Sequence, residues 1–269
     1  MLKRGVGAQG HRLPRRCFIS HAYADRVACE KFVAALPKGV EAIVYPPITV
    51  PPEQHVSTPL LNALIASDGL IYLTGGQSDR SFWVAFERDY ALRLGKRVFS
   101  ANPETLGISE RTEKPLDMEV FASYSHMDRG RVLEVCDFMK RERNFDIWLD
   151  RDRLAADEDV RVAIRSAIQR YVERGYLVVF WSKDSAGSQW VQQEYRFAAE
   201  QIGNFNDRVL FALLDDAPLP DFWMKYQEPS VQIYGDDVRS ATQRLDDLIV
   251  RLYWLIHRKT EQRGIHADG

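Results

Sequence analysis

Two places in the sequence set an aromatic ring four residues ahead of a carboxylate: Trp83 with Glu87, and Trp190 with Glu194. On a helix that spacing brings both side chains to one face, one turn apart. Each pair offers a single acid beside a π surface, whereas ordinary glycoside hydrolysis uses two carboxylates, one of them to protonate a poor leaving group. No stronger constellation competes with these pairs. His21 and His126 either line a cleft or cap their loops, and neither is spaced with a nucleophile or a set of metal ligands. Taken alone, a Trp-x-x-x-Glu is a core anchor followed by a solvated helix residue, and Arg88 offers Glu87 a partner at the surface. Its surroundings must give it meaning.

Those surroundings repeat. Phe18-Ile-Ser-His-Ala-Tyr-Ala-Asp25-Arg26 matches Phe121-Ala-Ser-Tyr-Ser-His-Met-Asp128-Arg129 at an offset of 121 − 18 = 103, with Phe, Ser, Asp and Arg coinciding. The two Trp-x-x-x-Glu segments lie 190 − 83 = 107 apart, and Arg97-Val98 matches Arg208-Val209 at 208 − 97 = 111. Two short insertions account for the drift, and the period is that of one domain.

In the second copy, strand and helix alternate. Met118 to Ala122 reads as a buried strand. From about Arg129 a helix follows, its apolar positions Val132, Val135, Cys136 and Met139 recurring at spacings of three and four. Phe145 to Leu149 reads as a strand and Val160 to Ile168 as an amphipathic helix. Tyr176 to Trp181, Trp190 to Ile202 and Arg208 to Leu214 continue as strand, helix and strand. The first copy repeats the scheme with strands at Cys17 to Ser20, Ala42 to Tyr45, Leu70 to Leu73 and Val98 to Ser100. Strands apolar on both faces, alternating with helices, imply α/β architecture: two flavodoxin-like domains with parallel sheets covered by helices on both faces, strand order 2-1-3-4-5. An apolar stripe from Val238 through Leu245, Leu248, Ile249, Leu252 and Leu255 to Ile256 adds a C-terminal helix, which closes the second domain or contacts another chain.

The domain boundaries follow from composition. Residues 1–14 form a basic, glycine-rich flexible tail, 15–103 the first and more divergent domain, and 104–117 a polar linker containing Gly107, Ser109, Thr112 and Pro115. Residues 118–235 form the second domain and 236–269 the helix and tail. Lysine and arginine number 36 against 38 acidic residues, a net charge of -2 that supplies no global attraction for nucleic acid or anionic membranes. No apolar run approaches the roughly 20 residues of a membrane span, and the N-terminus has no signal-peptide core. Cys17, Cys29 and Cys136, an odd number without C-x-x-C spacing, read as reduced core residues of a cytoplasmic protein.

Over about 100 residues the second copy resembles a Toll/interleukin-1 receptor (TIR) domain. Phe121-Ala-Ser-Tyr-Ser-His126 resembles the family's first strand and following loop, and Ile147-Trp-Leu-Asp150 with Leu154 its second strand and the start of the BB loop. Ser182-Lys-Asp184 and Ser188-Gln-Trp190 through Glu194 resemble the S-K-D and S-x-W-x-x-x-E segments, in the family's order. Asp157 stands where the family often has a BB-loop glycine. The first copy instead carries Tyr45-Pro46-Pro47 and Pro51-Pro52, keeping only Trp83 and Glu87 of the site signature. The pattern is that of a tandem TIR protein of the prokaryotic immune-effector type.

The resemblance implies cleavage of the nicotinamide-ribose bond of NAD+, as substrate and with neither cofactor nor metal. Nicotinamide leaves this bond neutral without needing a proton, so one carboxylate that stabilises the developing ribose cation suffices. Glu194 takes that role; Tyr124, Ser125, Trp190 and Asp150 bind substrate, Trp190 as an aromatic wall beside the nicotinamide. Glu87 and Trp83 would form a second site. The family also implies self-association and a separate sensor or effector partner. Two other classes remain open: a TIR-TIR signalling adaptor without chemistry, and a nucleoside deoxyribosyltransferase-like enzyme on a related sheet.

Overall fold

In the computed structural model the apolar run Cys17-Phe18-Ile19 lies wholly buried within β1 (Arg16–Ser20). Residues 12–45, 57–149, 175–189, 191–192, 208–220, 230–235 and 240–267 are described. They fall into two compact units, Met1–Leu116 and Asp117–Gly269.

In the first unit β1 is followed by α1 (Arg26–Ala34), β2 (Glu41–Val44), α2 (Ser57–Ala66), β3 (Gly69–Leu73), α3 (Phe82–Arg93), β4 (Arg97–Asn102) and β5 (Gly107–Arg111). The sheet order is β2-β1-β3-β4-β5, with β1 parallel to both β2 and β3, and β3 parallel to β4. β3 is buried along its whole length, as a central strand covered on both faces must be. Cys17, Ile19, Cys29, Phe32, Ile71, Leu73, Phe99 and Ala101 form one core cluster.

Two expectations need correction here. The segment 104–117 is not simply a linker, because Gly107–Arg111 pairs with β4, and does so antiparallel. Asn102 Oδ1 accepts from the Glu104 and Thr105 amides at 2.9 and 3.1 Å, and Leu106 turns with φ 57°, so the chain doubles straight back. A connection this short permits only an antiparallel neighbour. Its polar residues alternate exposed and half-buried along an edge strand, a pattern that resembles a linker in composition. Nor are all of residues 1–14 a free tail: the Arg12 carbonyl accepts from Arg97 Nη1 at 2.8 Å and Leu13 packs against the core cluster.

The second unit runs β6 (Val120–Ser123), α4 (Arg129–Arg143), β7 (Tyr176–Trp181), α5 (Lys183–Gly187), β8 (Val209–Leu213), β9 (Val231–Gln232) and α6 (Ala241–Ala267). β6, β7, β8 and β9 pair in that order, all parallel. The strand expected at Phe145 to Leu149 shrinks to a single parallel bridge, Phe121 with Trp148. Trp148 exchanges two hydrogen bonds with β6, at 2.7 and 2.9 Å, and so holds the second-strand position beside the first. Parallel sheets flanked by helices, with a C-terminal helix, make this the flavodoxin-like α/β arrangement in both units.

α4 buries Val132, Cys136 and Met139 as the periodicity predicts, and ends where Asn144 adopts φ 51°. α6 starts with a reciprocal cap. The Ser240 hydroxyl accepts from the Gln243 amide and Gln243 Oε1 from the Ser240 amide, both at 3.1 Å. Leu248, Ile249, Leu252, Tyr253 and Leu255 are buried, so this helix closes the second unit. Buried Arg143 of α4 grips buried Asp246 of α6 through two hydrogen bonds, at 2.6 and 3.2 Å. Among the described residues no helix is long and apolar enough to cross a membrane. The three cysteines are free and buried, and burial pushes the Cys17 and Cys29 thiols up to about 11 and about 12.

Candidate active site

The Trp-x-x-x-Glu of the first unit lies on α3. Ser81 caps this helix by accepting from the Val84 amide at 3.4 Å. Phe82, Phe86 and Tyr90 stack at intervals of four along one side, with ring centroids 6.0 and 5.8 Å apart. Glu87, next to Phe86, turns inward. The Ser20 hydroxyl, on the last residue of β1, donates to Glu87 Oε2 at 2.5 Å. This places the carboxyl at the carboxyl ends of the strands, where doubly wound sheets bind their ligands.

The environment of Glu87 decides what it can do. It is only 5% exposed, and burial pushes its carboxyl up to about 8 against the opposing effect of the Ser20 hydrogen bond. The folded chain thus holds a proton on this carboxyl more tightly than on an ordinary glutamate, because burial removes the water that would solvate its charge. Trp83, one turn earlier, is 38% exposed and meets Phe82 and Phe86 edge-on. The four-residue spacing thus aligns the pair along the helix, but leaves the indole at the surface and the acid inside. A surface pairing of Glu87 with Arg88 is excluded, since Arg88 lies 3.9 Å from Glu113 and its guanidinium sits over the Tyr72 ring.

In the second unit Tyr124 and Ser125 follow β6 as expected. Tyr124 is half-buried. Ser125 is buried, and its hydroxyl caps the short 3-10 turn His126–Asp128 by accepting from the Met127 amide at 3.4 Å. His126 is exposed at the start of that turn. His21 holds the Ile19 carbonyl through Nδ1 at 3.4 Å, and burial lowers its pKa. Asp150, Trp190 and Glu194 lie outside the described residues, as do the segments 46–56 and 150–174 that include both BB-loop regions.

The approach to Glu194 is described. β7 ends at Trp181, Ser182 caps α5, and helix resumes at Gln189. The Ser188 hydroxyl accepts from the Val191 amide at 3.4 Å, as Ser81 does from Val84, an equivalence at 188 − 81 = 107. Ser123, the counterpart of Ser20 at 123 − 20 = 103, is buried at the end of β6. Ser188 and Ser123 thus stand in the second unit where Ser81 and Ser20 stand in the first.

Sequence reasoning missed a cluster centred on Asp128. Its Oδ2 accepts from the hydroxyls of Ser182 at 2.5 Å and Ser185 at 3.3 Å, and its Oδ1 meets Arg131 at 3.4 Å. The first unit has the same tie, Asp25 accepting from the amide and hydroxyl of Ser78, both at 2.7 Å. The coincidence of Asp25 and Asp128 in the repeat was the available signal. Among the described residues no three His, Cys, Asp or Glu side chains are grouped to hold a metal ion.

A comparison with curated proteins gives no match. The family model of the TIR domain matches residues 120–249, from the first residue of β6 past residue 235 into α6. The second unit, with its parallel sheet and its capped approach to Glu194, thus carries a TIR domain over residues 120–249.

Proposed function

We propose that this protein is a TIR-domain NAD+ nucleosidase or cyclase of tandem TIR architecture, with Glu194 as the carboxylate that stabilises the reacting ribose. The observation that carries this reading is the match of the TIR family to residues 120–249, which include Trp190 and Glu194. The Ser188 hydroxyl accepts from the Val191 amide as that of Ser81 does from Val84, and Ser123 stands at the end of β6 as Ser20 does at the end of β1.

In the reaction the bond between C1′ of the ribose and the nicotinamide nitrogen breaks, and its electron pair leaves with the neutral ring. Glu194 stabilises the cationic ribose and Trp190 bounds the nicotinamide, while Tyr124 borders the cleft from the β6 loop. Water, or a nucleophilic atom of the same substrate, then bonds to C1′ and gives up its proton when it carries one. Self-association of TIR domains completes and activates the site, in an immune or toxin role with a separate sensor.

The test is incubation of concentrated protein with NAD+ and, separately, with deoxynucleosides, followed by product analysis. Nicotinamide with ADP-ribose or a cyclic product is the expected result. Base exchange on deoxynucleosides would move the protein to the deoxyribosyltransferase class, and inertness toward both to the adaptor class.

A further inference from the structure

Asp128 is 1% exposed, and the two hydroxyls it accepts, from Ser182 and Ser185, are themselves fully buried. Arg131, bound to Asp128 Oδ1, also donates to the Leu214 carbonyl just beyond β8. Leu214 in turn donates its amide to the Trp181 carbonyl at 2.7 Å. One carboxylate therefore joins the loop after β6, the loop after β7 and the end of β8. These are three adjacent strand ends on the side of the sheet where ligands bind.

The network continues through Ser188 to Gln192. Ser182 caps α5 by accepting from the Ser185 amide at 3.0 Å, and Ser185 also donates to the Phe180 carbonyl at 2.9 Å. Gln192 Nε2 donates back to the Ala186 carbonyl at 2.6 Å, and its amide bonds the Ser188 carbonyl at 3.1 Å. With the Ala186 amide donating to the Ser182 carbonyl at 2.8 Å, a linked path runs from Asp128 to Gln192, two residues before Glu194 in the sequence. Ser185 keeps the Phe180 carbonyl without Asp128, but Ser182 loses its shortest acceptor, and an asparagine there can offer its amide oxygen to the serines only by turning its NH2 toward Arg131.

We propose that Asp128, through Ser182 and Ser185, is a positioning residue that fixes the chain at Gln189–Gln192, from which Glu194 follows two residues later in the sequence. This rests on the reading of Glu194 as the reacting carboxylate. Asp128, itself buried, acts by holding the segment that leads to Glu194. A displacement of about 1 Å at a reacting group can cost on the order of a hundredfold in rate.

The experiment compares full-length wild type with Asp128→Asn, Ser182→Ala, Ser182→Thr and Asp25→Asn, measuring NAD+ turnover and amide hydrogen exchange. For Asp128→Asn and Ser182→Ala, kcat should fall by about a hundredfold while KM stays within roughly threefold. Ser182→Thr, which keeps a hydroxyl, should recover most of the rate, and Asp25→Asn, confined to the first unit, should leave it unchanged. Exchange over 182–192 should accelerate in Asp128→Asn and Ser182→Ala, with β8 and α6 as protected as in wild type. Unchanged exchange over 182–192 in both variants overturns the proposal whether or not the protein cleaves NAD+. A loss confined to KM, or no recovery in Ser182→Thr, also overturns it. A wild type that does not cleave NAD+ overturns the assigned function instead, and the exchange comparison still decides the tie. Should Asp128→Asn fail to fold, the two Ser182 variants carry the same comparison.

Discussion

Replacing Glu87 by glutamine tests whether the acid in the first unit is a buried proton holder rather than an open reactive group. The fold raises this carboxyl from an ordinary 4.5 to about 8, because burial removes the water that would solvate its charge. A native value above the unfolded one means that the folded chain holds the proton more tightly. The resulting stability is fully present below about pH 4.5, declines as pH rises, and is lost once pH passes about 8. At about 1.4 kcal/mol per tenfold change in proton affinity, the whole effect is at most roughly 5 kcal/mol. Glutamine stays neutral at every pH, and its Oε1 still accepts the Ser20 hydroxyl. Wild type should therefore lose up to roughly 5 kcal/mol between pH 4 and pH 9 that Glu87→Gln keeps, leaving the variant the more stable at pH 9. Urea titration at each pH, followed by hydrogen exchange in peptides covering β1 and α3, measures this locally. Parallel stability curves for the two proteins would refute the reasoning, since a solvated glutamate produces no such divergence.

Other outcomes follow from the same features. Glu194→Gln should abolish nicotinamide release with an unchanged thermal melt, whereas Glu87→Gln should keep most of it; loss in Glu87→Gln alone would move the active site to the first unit. Specific activity should rise with protein concentration, and a constant value over roughly a hundredfold dilution of a sedimenting monomer would exclude sites completed between chains. Asp246→Ala strands Arg143 as a buried charge and should lower the stability of the second unit by about 3–5 kcal/mol. Tryptophan fluorescence in urea reports this, five of the six tryptophans lying in that unit. An unshifted midpoint would show that the pair is dispensable.

What the sequence revealed depended on how local the governing physics was. Strands apolar on both faces announce themselves, and β3, β4, β7 and β8 fall within a residue or two of their expected bounds. β5 did not, because an edge strand needs only one half-buried face and its Ser109, Glu110 and Arg111 read equally well as a connection. The Phe145 to Leu149 strand was overdrawn, since its apolar residues Phe145 and Ile147 are buried while only Trp148 pairs with β6. At the site, the position of Glu87 on a helix was legible from spacing. Its burial was not, because that depends on Ser20, which lies 67 residues away in the chain. The Asp128 cluster was hidden for the same reason, although the repeat had already marked Asp25 and Asp128 as a coinciding pair.

The hairpin that adds β5 also bears on when the first unit can fold. Its sheet is complete by Arg111, and the Leu116 amide and carbonyl are then taken up by Asp89 and Arg93 of α3. Every described strand of that sheet precedes β6 in the chain, so no partner must be awaited from the later half. Domains that emerge first generally fold first. A nascent chain halted after the first unit has cleared the exit tunnel already holds a complete sheet, with its strands paired before the similar strands of the second unit have emerged to compete for them. For two neighbouring units of like architecture, order of synthesis thereby guards against strands pairing with the wrong sheet.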